Sequence, residues 1–110
     1  MVIRLYIGGA CQGQAELARE ENPGCEVLDE FHEQVRRWMK EGLDPLQQTL
    51  GLMKEKDPLI LVANEVGCGI VPMDPEERAW RENVGRSLCQ VAARAERVTR
   101  VICGIGVRLK

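Results

Sequence analysis

The first apolar block, Val2-Ile3-Arg4-Leu5-Tyr6-Ile7, is broken by one charge and ends on Gly8-Gly9, which predicts a buried strand running into a turn. Gln14 to Glu21 then alternates Ala15, Leu17 and Ala18 with polar residues, a helical pattern stopped by Asn22-Pro23-Gly24. A short strand, Glu26-Val27-Leu28, leads to Asp29. From Glu30 to Lys40 the apolar positions Phe31, Val35, Trp38 and Met39 fall at i, i+4, i+7 and i+8, one face of a helix that Gly42 closes. Asp44 is the N-cap and Pro45 the first residue of a helix to about Lys54, with an apolar face of Leu46, Leu50 and Met53. The unbroken run Leu59-Ile60-Leu61-Val62-Ala63 suits a central parallel strand covered on both faces. An ordered loop, Asn64 to Pro72, follows. Asp74-Pro75 then caps a helix over 75–97, whose face is Trp80, Val84, Leu88, Val91, Ala95 and Val98. A last strand at about Arg100–Cys103 precedes a glycine-rich tail from Gly104 to Leu109. Strands alternating with helices predict an α/β fold with a mainly parallel sheet, reduced in size.

The 110 residues are expected to form a single domain, residues 1–110. A net charge of −2 with interspersed signs, and only four aromatic residues, give no footprint for nucleic acid. No apolar run reaches the ~20 residues that span a bilayer, and the N-terminus lacks a signal-peptide pattern, so neither membrane nor export is expected. Five scattered cysteines, none in a C-x-x-C pair, are expected as buried free thiols in a reducing cytoplasm. Cys68 and Cys103 could meet at the sheet edge, but two thiols alone make no zinc site, and no metal site is expected.

The chemistry lies in the turn Gly8-Gly9-Ala10-Cys11-Gln12-Gly13-Gln14-Ala15. A phosphate-binding loop reads G-x-x-x-x-G-K-[ST]: its backbone amides cradle phosphates, its lysine reaches the outer phosphates and its hydroxyl holds Mg²⁺. Gly8 and Gly13 have that spacing directly after a strand. Gln14 replaces the lysine and Ala15 the hydroxyl, so the backbone of a nucleotide site is encoded without the charges that drive phosphoryl transfer. The loop, Asp29 and Asn64-Glu65 all fall just past the carboxyl ends of strands, where open α/β sheets bind ligands.

The segment Leu61-Val62-Ala63-Asn64-Glu65-Val66-Gly67-Cys68-Gly69-Ile70-Val71-Pro72 is similar to the signature of the adenosylcobinamide kinase/adenosylcobinamide-phosphate guanylyltransferase family. The resemblance continues through Arg78, Trp80, Arg81, Gly85 and Arg86, and through the C-terminal Val101 to Lys110. It implies a P-loop NTPase-like α/β fold, an oligomer, GTP or ATP as cofactor and cobinamide as partner. Gly8, Gly9 and Gly13 match the family's loop glycines, whereas Gln14 and Ala15 depart from its Lys and Ser. Asp29 resembles the acidic residue that orients Mg²⁺, and Asn64 and Glu65 match the family motif. The long segment that carries the family's guanylylated histidine is missing between the loop helix and Asp29, and the sole histidine, His32, does not take its place.

Three functions follow as expectations. The first is a shortened family member with weak nucleotide or phosphate binding and impaired or absent catalysis. The second is an active enzyme with a remodelled site, in which Arg4, Arg19 or a neighbouring subunit's arginine replaces the loop cation. The third is a non-enzymatic interaction subunit that exposes the apolar face of the Phe31–Met39 helix. Asp29 is expected to cap that helix in preference to holding Mg²⁺, which has lost its loop hydroxyl. Glu65 is expected to bond the amides of the Gly67–Gly69 loop in preference to acting as a base. His32 is expected at the surface or as a cap. Small sheets bury little surface, so a homo-oligomer, dimer or trimer, is also expected.

Overall fold

β-branched and leucine side chains dominate the two strands at the middle of the sheet, β1 (Ile3–Gly8) and β3 (Leu59–Asn64), which pair in parallel from Ile3 opposite Leu59 to Gly8 opposite Asn64. The computed structural model describes residues 2–66 and 73–110. Between these strands lie α1 (Gln14–Glu21), the edge strand β2 (Val27–Leu28), α2 (Phe31–Lys40) and α3 (Pro45–Glu55). After them come α4 (Pro75–Arg94), β4 (Arg97–Ile102) and β5 (Ile105–Arg108). The sheet order is β2-β3-β1-β4-β5, with β5 alone antiparallel.

Strand alternation divides the core into two layers. Ile3, Leu5, Leu59, Leu61 and Ala63 face one way, with Phe31, Val35, Met53, Trp80, Val84 and Val91 from α2, α3 and α4 packed on them. Tyr6, Ile60, Val62 and Val101 face the other way and are covered by Ala15, Leu17 and Ala18 of α1. Both faces of the central strands are therefore buried, which accounts for the unbroken apolar run of β3.

Local signals set most helix ends. Asp44 and Asp74 accept hydrogen bonds from Leu46 N (3.1 Å) and Glu76 N (3.0 Å), each ahead of a proline at the first helical position. Past the end of α2, Gly42 takes a positive φ of 76°, its amide bonds Met39 O at 3.1 Å and the Leu43 amide bonds Trp38 O at 2.9 Å. That pair of bonds is a Schellman stop. In α3, Met53 is buried and Leu50 packs on the core, but Thr49 fills the place expected of Leu46 and turns its hydroxyl onto Pro45 O at 2.7 Å.

Two expectations fail at the C-terminal end. The last helix stops at Arg94, not 97, and the strand after it runs Arg97–Ile102 instead of Arg100–Cys103. Neither glycine nor proline marks this break. Ala95 is extended (φ −72°, ψ 142°), the Glu96 amide bonds Ile3 O at 2.9 Å, and Val98 pairs with Leu5. Val98 does reach the core, as a strand residue. The expected tail is β5, joined to β4 by a two-residue turn in which Cys103 (φ 50°) and Gly104 (φ 76°) are both left-handed, a geometry that matches strand twist.

A polar network fastens α1 to β1. Tyr6 is fully buried; its hydroxyl donates to Glu21 Oε1 (2.7 Å) and accepts from Asn22 Nδ2 (3.0 Å). Arg4 reaches Asn22 Oδ1 at 2.6 Å and Glu96 Oε1 at 2.8 Å. Burial, and then the Glu21 carboxylate beside it, push the Tyr6 phenol above its ordinary value near 10, against smaller opposing effects of Asn22 and Arg97. The folded state thus holds the neutral phenol where the unfolded chain ionises. Its contribution is complete below the unfolded value and is lost as pH rises through the folded one. Tyr6 is the sole tyrosine, so tyrosinate absorbance during alkaline titration should rise only together with loss of circular dichroism. Tyr6→Phe should flatten the alkaline fall in stability; an unchanged fall would assign it to other groups.

Candidate functional site

The chain leaves β1 toward α1 on one face of the sheet and leaves β3 toward α4 on the other. Adjacent strands whose connections diverge in this way open a crevice at their carboxyl ends, the usual ligand position of such sheets. A cleft of about 250 Å³ lies there. Its lining is Ala10, Cys11, Gly13, Gln14, Ala15 and Glu16 from the loop and first turn of α1, Asp29, Glu30 and His32 from the β2–α2 junction, and Asn64 from β3. A larger hollow of about 420 Å³ between β2, α2 and α3 is floored by Leu28, Phe31, Trp38, Leu52 and Leu61 and has no loop amides on its wall.

Close packing defines the loop. Gly8 sits against β4, and a Cβ there would come within 2.6 Å of Val101 O. Gly13, at φ 87°, is the N-cap residue of α1, and its carbonyl takes the first intrahelical bond from Leu17 N at 3.1 Å. The amides of Gln14, Ala15 and Glu16 have no intrahelical acceptors and give this end its positive partial charge. Gln12 ties the loop to the β4–β5 turn: its carbonyl accepts from Gly104 N and its side-chain oxygen from Cys103 N, each at 2.7 Å.

Gln14, at the lysine position, turns inward. Its Nε2 lies 3.0 Å from Gly9 O, 3.3 Å from Gly8 O and 2.9 Å from Asn64 Oδ1, and the residue is 5% exposed. A neutral amide thus braces the loop from within and joins it to β3. Asn64 is held in turn by His32, whose Nδ1 accepts the Asn64 amide at 3.1 Å. That bond places the neutral imidazole's proton on Nε2. Trp80 completes the chain, its indole N–H donating to His32 O at 2.8 Å. His32 is therefore a buried brace, 7% exposed, and not the surface or capping residue expected. Neither the Gln14 brace nor the His32–Asn64 bond has a spacing signal in the sequence; both arise from strand register.

The cleft's charge is acidic. Glu16, Asp29 and Glu30 line it, and no lysine or arginine does among the described residues. Arg4, expected to supply a cation, is at the opposite end of β1 with Glu96 and Asn22. Arg19 lies outside the cleft, 4.0 Å from Asp29 Oδ2. Asp29 does not cap α2: Glu30, in the left-handed region (φ 54°), is the N-cap residue, and Asp29 Oδ1 accepts only the Glu30 amide, at 2.7 Å. The Glu65 amide donates to Gly8 O at 2.8 Å and its carboxylate pairs with Arg100 at 3.4 Å. The expected bonding of Glu65 to Gly67 and Gly69, and the pairing of Cys68 with Cys103, lie outside the described residues. Cys11, Cys25, Cys89 and Cys103 are free and exposed, not buried, and no group of three or more metal-ligating side chains exists among the described residues. This arrangement can present amide donors to an oxygen-bearing ligand, but among the described residues it holds no positive side chain against a developing phosphate charge.

The sheet order, the glycine turn after β1 and the cleft at the point of divergence define a reduced P-loop-like α/β protein. The chain belongs to the family described as cobinamide kinase / cobinamide phosphate guanyltransferase, whose model matches residues 24–109. It is 48% identical over 52 residues to the bifunctional adenosylcobalamin biosynthesis protein CobU of Escherichia coli K12, covering 47% of this chain and 29% of that protein. To the protein of the same description from Salmonella typhimurium LT2 it is 39% identical over 74 residues, 66% of this chain and 41% of that protein. The matches thus span less than half the length of these relatives.

Proposed function

We propose that this chain serves cobalamin biosynthesis as a shortened family member, one α/β domain over residues 1–110, whose loop binds a purine nucleotide or phosphate weakly and whose own phosphoryl transfer is impaired or lost. The observation behind this reading is Gln14: the group that should meet an anion is a neutral amide already bonded to Gly8, Gly9 and Asn64. Phosphoryl transfer depends on positioning and charge, and a cleft lined, among the described residues, by three carboxylates and no cation opposes both phosphate entry and charge development. Ala15 offers Mg²⁺ no hydroxyl, so the ion contributes little to binding. The helix N-terminus and loop amides remain as the attractive element for GTP or ATP. Cobinamide is the partner that family membership suggests. Among the described residues no helix is long and apolar enough to cross a membrane, and we place the protein in the cytoplasm.

Calorimetric titration with GTP and ATP, with and without Mg²⁺ and then with cobinamide, tests the proposal. The native chain should bind nucleotide weakly. Gln14→Lys should tighten it about tenfold, the equivalent of roughly 1.4 kcal/mol from one charge-assisted contact. Gly13→Asp, which adds a carboxylate and strains a left-handed position, should abolish it. Turnover of nucleotide by the native chain in the presence of cobinamide, above the rate of Gly13→Asp, would refute the loss of catalysis. Absence of binding in both the native chain and Gln14→Lys would reduce the loop to a structural turn.

A further inference from the structure

The apolar face of α2 is turned inward, not exposed as the sequence suggests: Phe31 and Val35 are buried, and Trp38 and Met39 pack on the core. Beside that face, between β2, α2 and α3, lies the hollow of about 420 Å³. Small-molecule sites fall in this range, about 300–1,000 Å³. Leu28, Leu52 and Leu61 make its aliphatic wall, Phe31 and Trp38 its aromatic one. The two rings meet edge to face, with centroids 5.9 Å apart and planes at 77°. On the α2 rim Arg37 and Gln34 both line the hollow, and the Arg37 guanidinium donates to Gln34 Oε1 at 2.7 Å. Arg37 pairs with no carboxylate among the described residues. The rim at β2 and the end of α3 differs: Lys56 and Glu26 pair at 3.5 Å, and Asp29 Oδ1 accepts the Glu30 amide at 2.7 Å.

We propose that this hollow binds a small, flat aromatic carboxylate, its rings against Phe31, Trp38 and the leucines and its carboxylate on Arg37. Shape, charge and orientation each select that ligand. A planar ring placed against an edge-to-face pair meets the face of one ring and the edge of the other, both favourable arrangements. A rigid ring also surrenders less conformational freedom on binding than an alkyl chain of equal apolar area. Arg37 carries a charge that no carboxylate of the chain neutralises, and its bond to Gln34 holds the guanidinium on the rim before a ligand arrives. Glu26 and Asp29 repel an anion from the β2 rim, so the acid group points to α2 and the far end of the ring to β2. The floor is preformed: Phe31 is 2% exposed and Leu61 fully buried, both fixed by the core. The linings of hollow and cleft share only Asp29, and nothing in this site depends on what the loop binds.

Calorimetric titration with 2-naphthoate, and with its uncharged analogue 2-naphthalenemethanol, tests the site. The native chain should bind the acid saturably, with a dissociation constant below about 1 mM, and the alcohol at least tenfold more weakly. Arg37→Gln, on an exposed position of α2, should remove that preference while leaving the thermal melt unchanged. Leu52→Trp fills the hollow from α3 and should abolish binding of both compounds. Gly13→Asp, which damages only the loop, should bind the acid as the native chain does. In proton–nitrogen correlation spectra the Trp38 indole resonance should move on titration, whereas that of Trp80, bonded to His32 O, should not. No saturation by the folded native chain would overturn the proposal, as would equal affinity for acid and alcohol, the mark of a merely apolar crevice. Native affinity for the acid in Arg37→Gln would overturn it whether or not Leu52→Trp folds. Loss of binding in Gly13→Asp would do so as well, by moving the acid to the cleft.

Discussion

Trp80→Ala should lower the stability of this protein by about 3–5 kcal/mol, the range for removing a large buried aromatic side chain. Trp80 is 9% exposed and belongs to the main core cluster, between α4, α2 and the sheet. Its ring also lies under a guanidinium, with Arg36 Cζ 3.8 Å from the centroid, and Glu77 and Glu33 hold that arginine in place. Its N–H donates to His32 O, and His32 fixes Asn64, which holds Gln14 and through it the loop. The truncation therefore opens a cavity and releases the far end of the chain of bonds that braces the cleft. Against a total of about 5–15 kcal/mol for a domain, the loss is a large fraction of the whole. In a chain of this size it should lower the melting temperature by at least roughly 12 °C. Trp80→Phe keeps most of the volume and removes only the donor, so it should cost less, about 1–3 kcal/mol. Urea unfolding followed by circular dichroism separates the two. Equal losses in the two variants would mean that the hydrogen bond, not the cavity, dominates; a loss under about 1 kcal/mol in Trp80→Ala would remove Trp80 from the core account.

What the sequence makes legible here is whatever is written locally. The β1–glycine–α1 unit, the Asp44-Pro45 and Asp74-Pro75 starts and the Gly42 stop each rest on residues within one turn of the event, and all occur where the pattern places them. The end of α4 is different. Ala95 and Glu96 break no rule of helix propensity, and the helix yields there because β1 offers Ile3 O and Leu5 as sheet partners. Val98 disguises the switch: a core position three residues beyond Ala95 satisfies the helical period and the strand alternation equally. The first left-handed turn residue, Cys103, likewise hides the hairpin, since asparagine or glycine would announce it and cysteine does not. At the candidate site the loop is readable from two glycines, and the loss of its cation from one glutamine. The direction of that glutamine side chain is not. It depends on Asn64 arriving opposite Gly8 in the β1–β3 register, and on His32 reaching over from α2.

Gly8 gives the sharpest test of that site, because its absent side chain is the reason the loop can start where it does. Gly8 pairs with Val101 in β4 and with Asn64 in β3, and its carbonyl already accepts the Glu65 amide at 2.8 Å and lies 3.3 Å from Gln14 Nε2. The Cβ of Gly8→Ala would lie 2.6 Å from Val101 O, a main-chain atom fixed in the sheet, so no rotamer change relieves the clash. Either β1 separates from β4 at its carboxyl end or the loop shifts outward, and in both cases the Gln14 bonds to Gly8 and Gly9 are disturbed. Overpacking of this kind costs about 1–3 kcal/mol, and a rigid neighbour favours the upper end. Gly51→Ala is the matched control. Gly51 lies inside α3 at an exposed position with nothing within 4 Å of the added carbon, so the same methyl group should stabilise by about 0.5–1 kcal/mol through helix propensity and a less free unfolded chain. The two substitutions add identical atoms and should move the urea midpoint in opposite directions. Nucleotide titration then divides fold from site: Gly51→Ala should bind as the native chain does, whereas Gly8→Ala should lose binding even under conditions where circular dichroism shows it folded. Native binding by a folded Gly8→Ala would show that the loop at the end of β1 is not where the ligand sits.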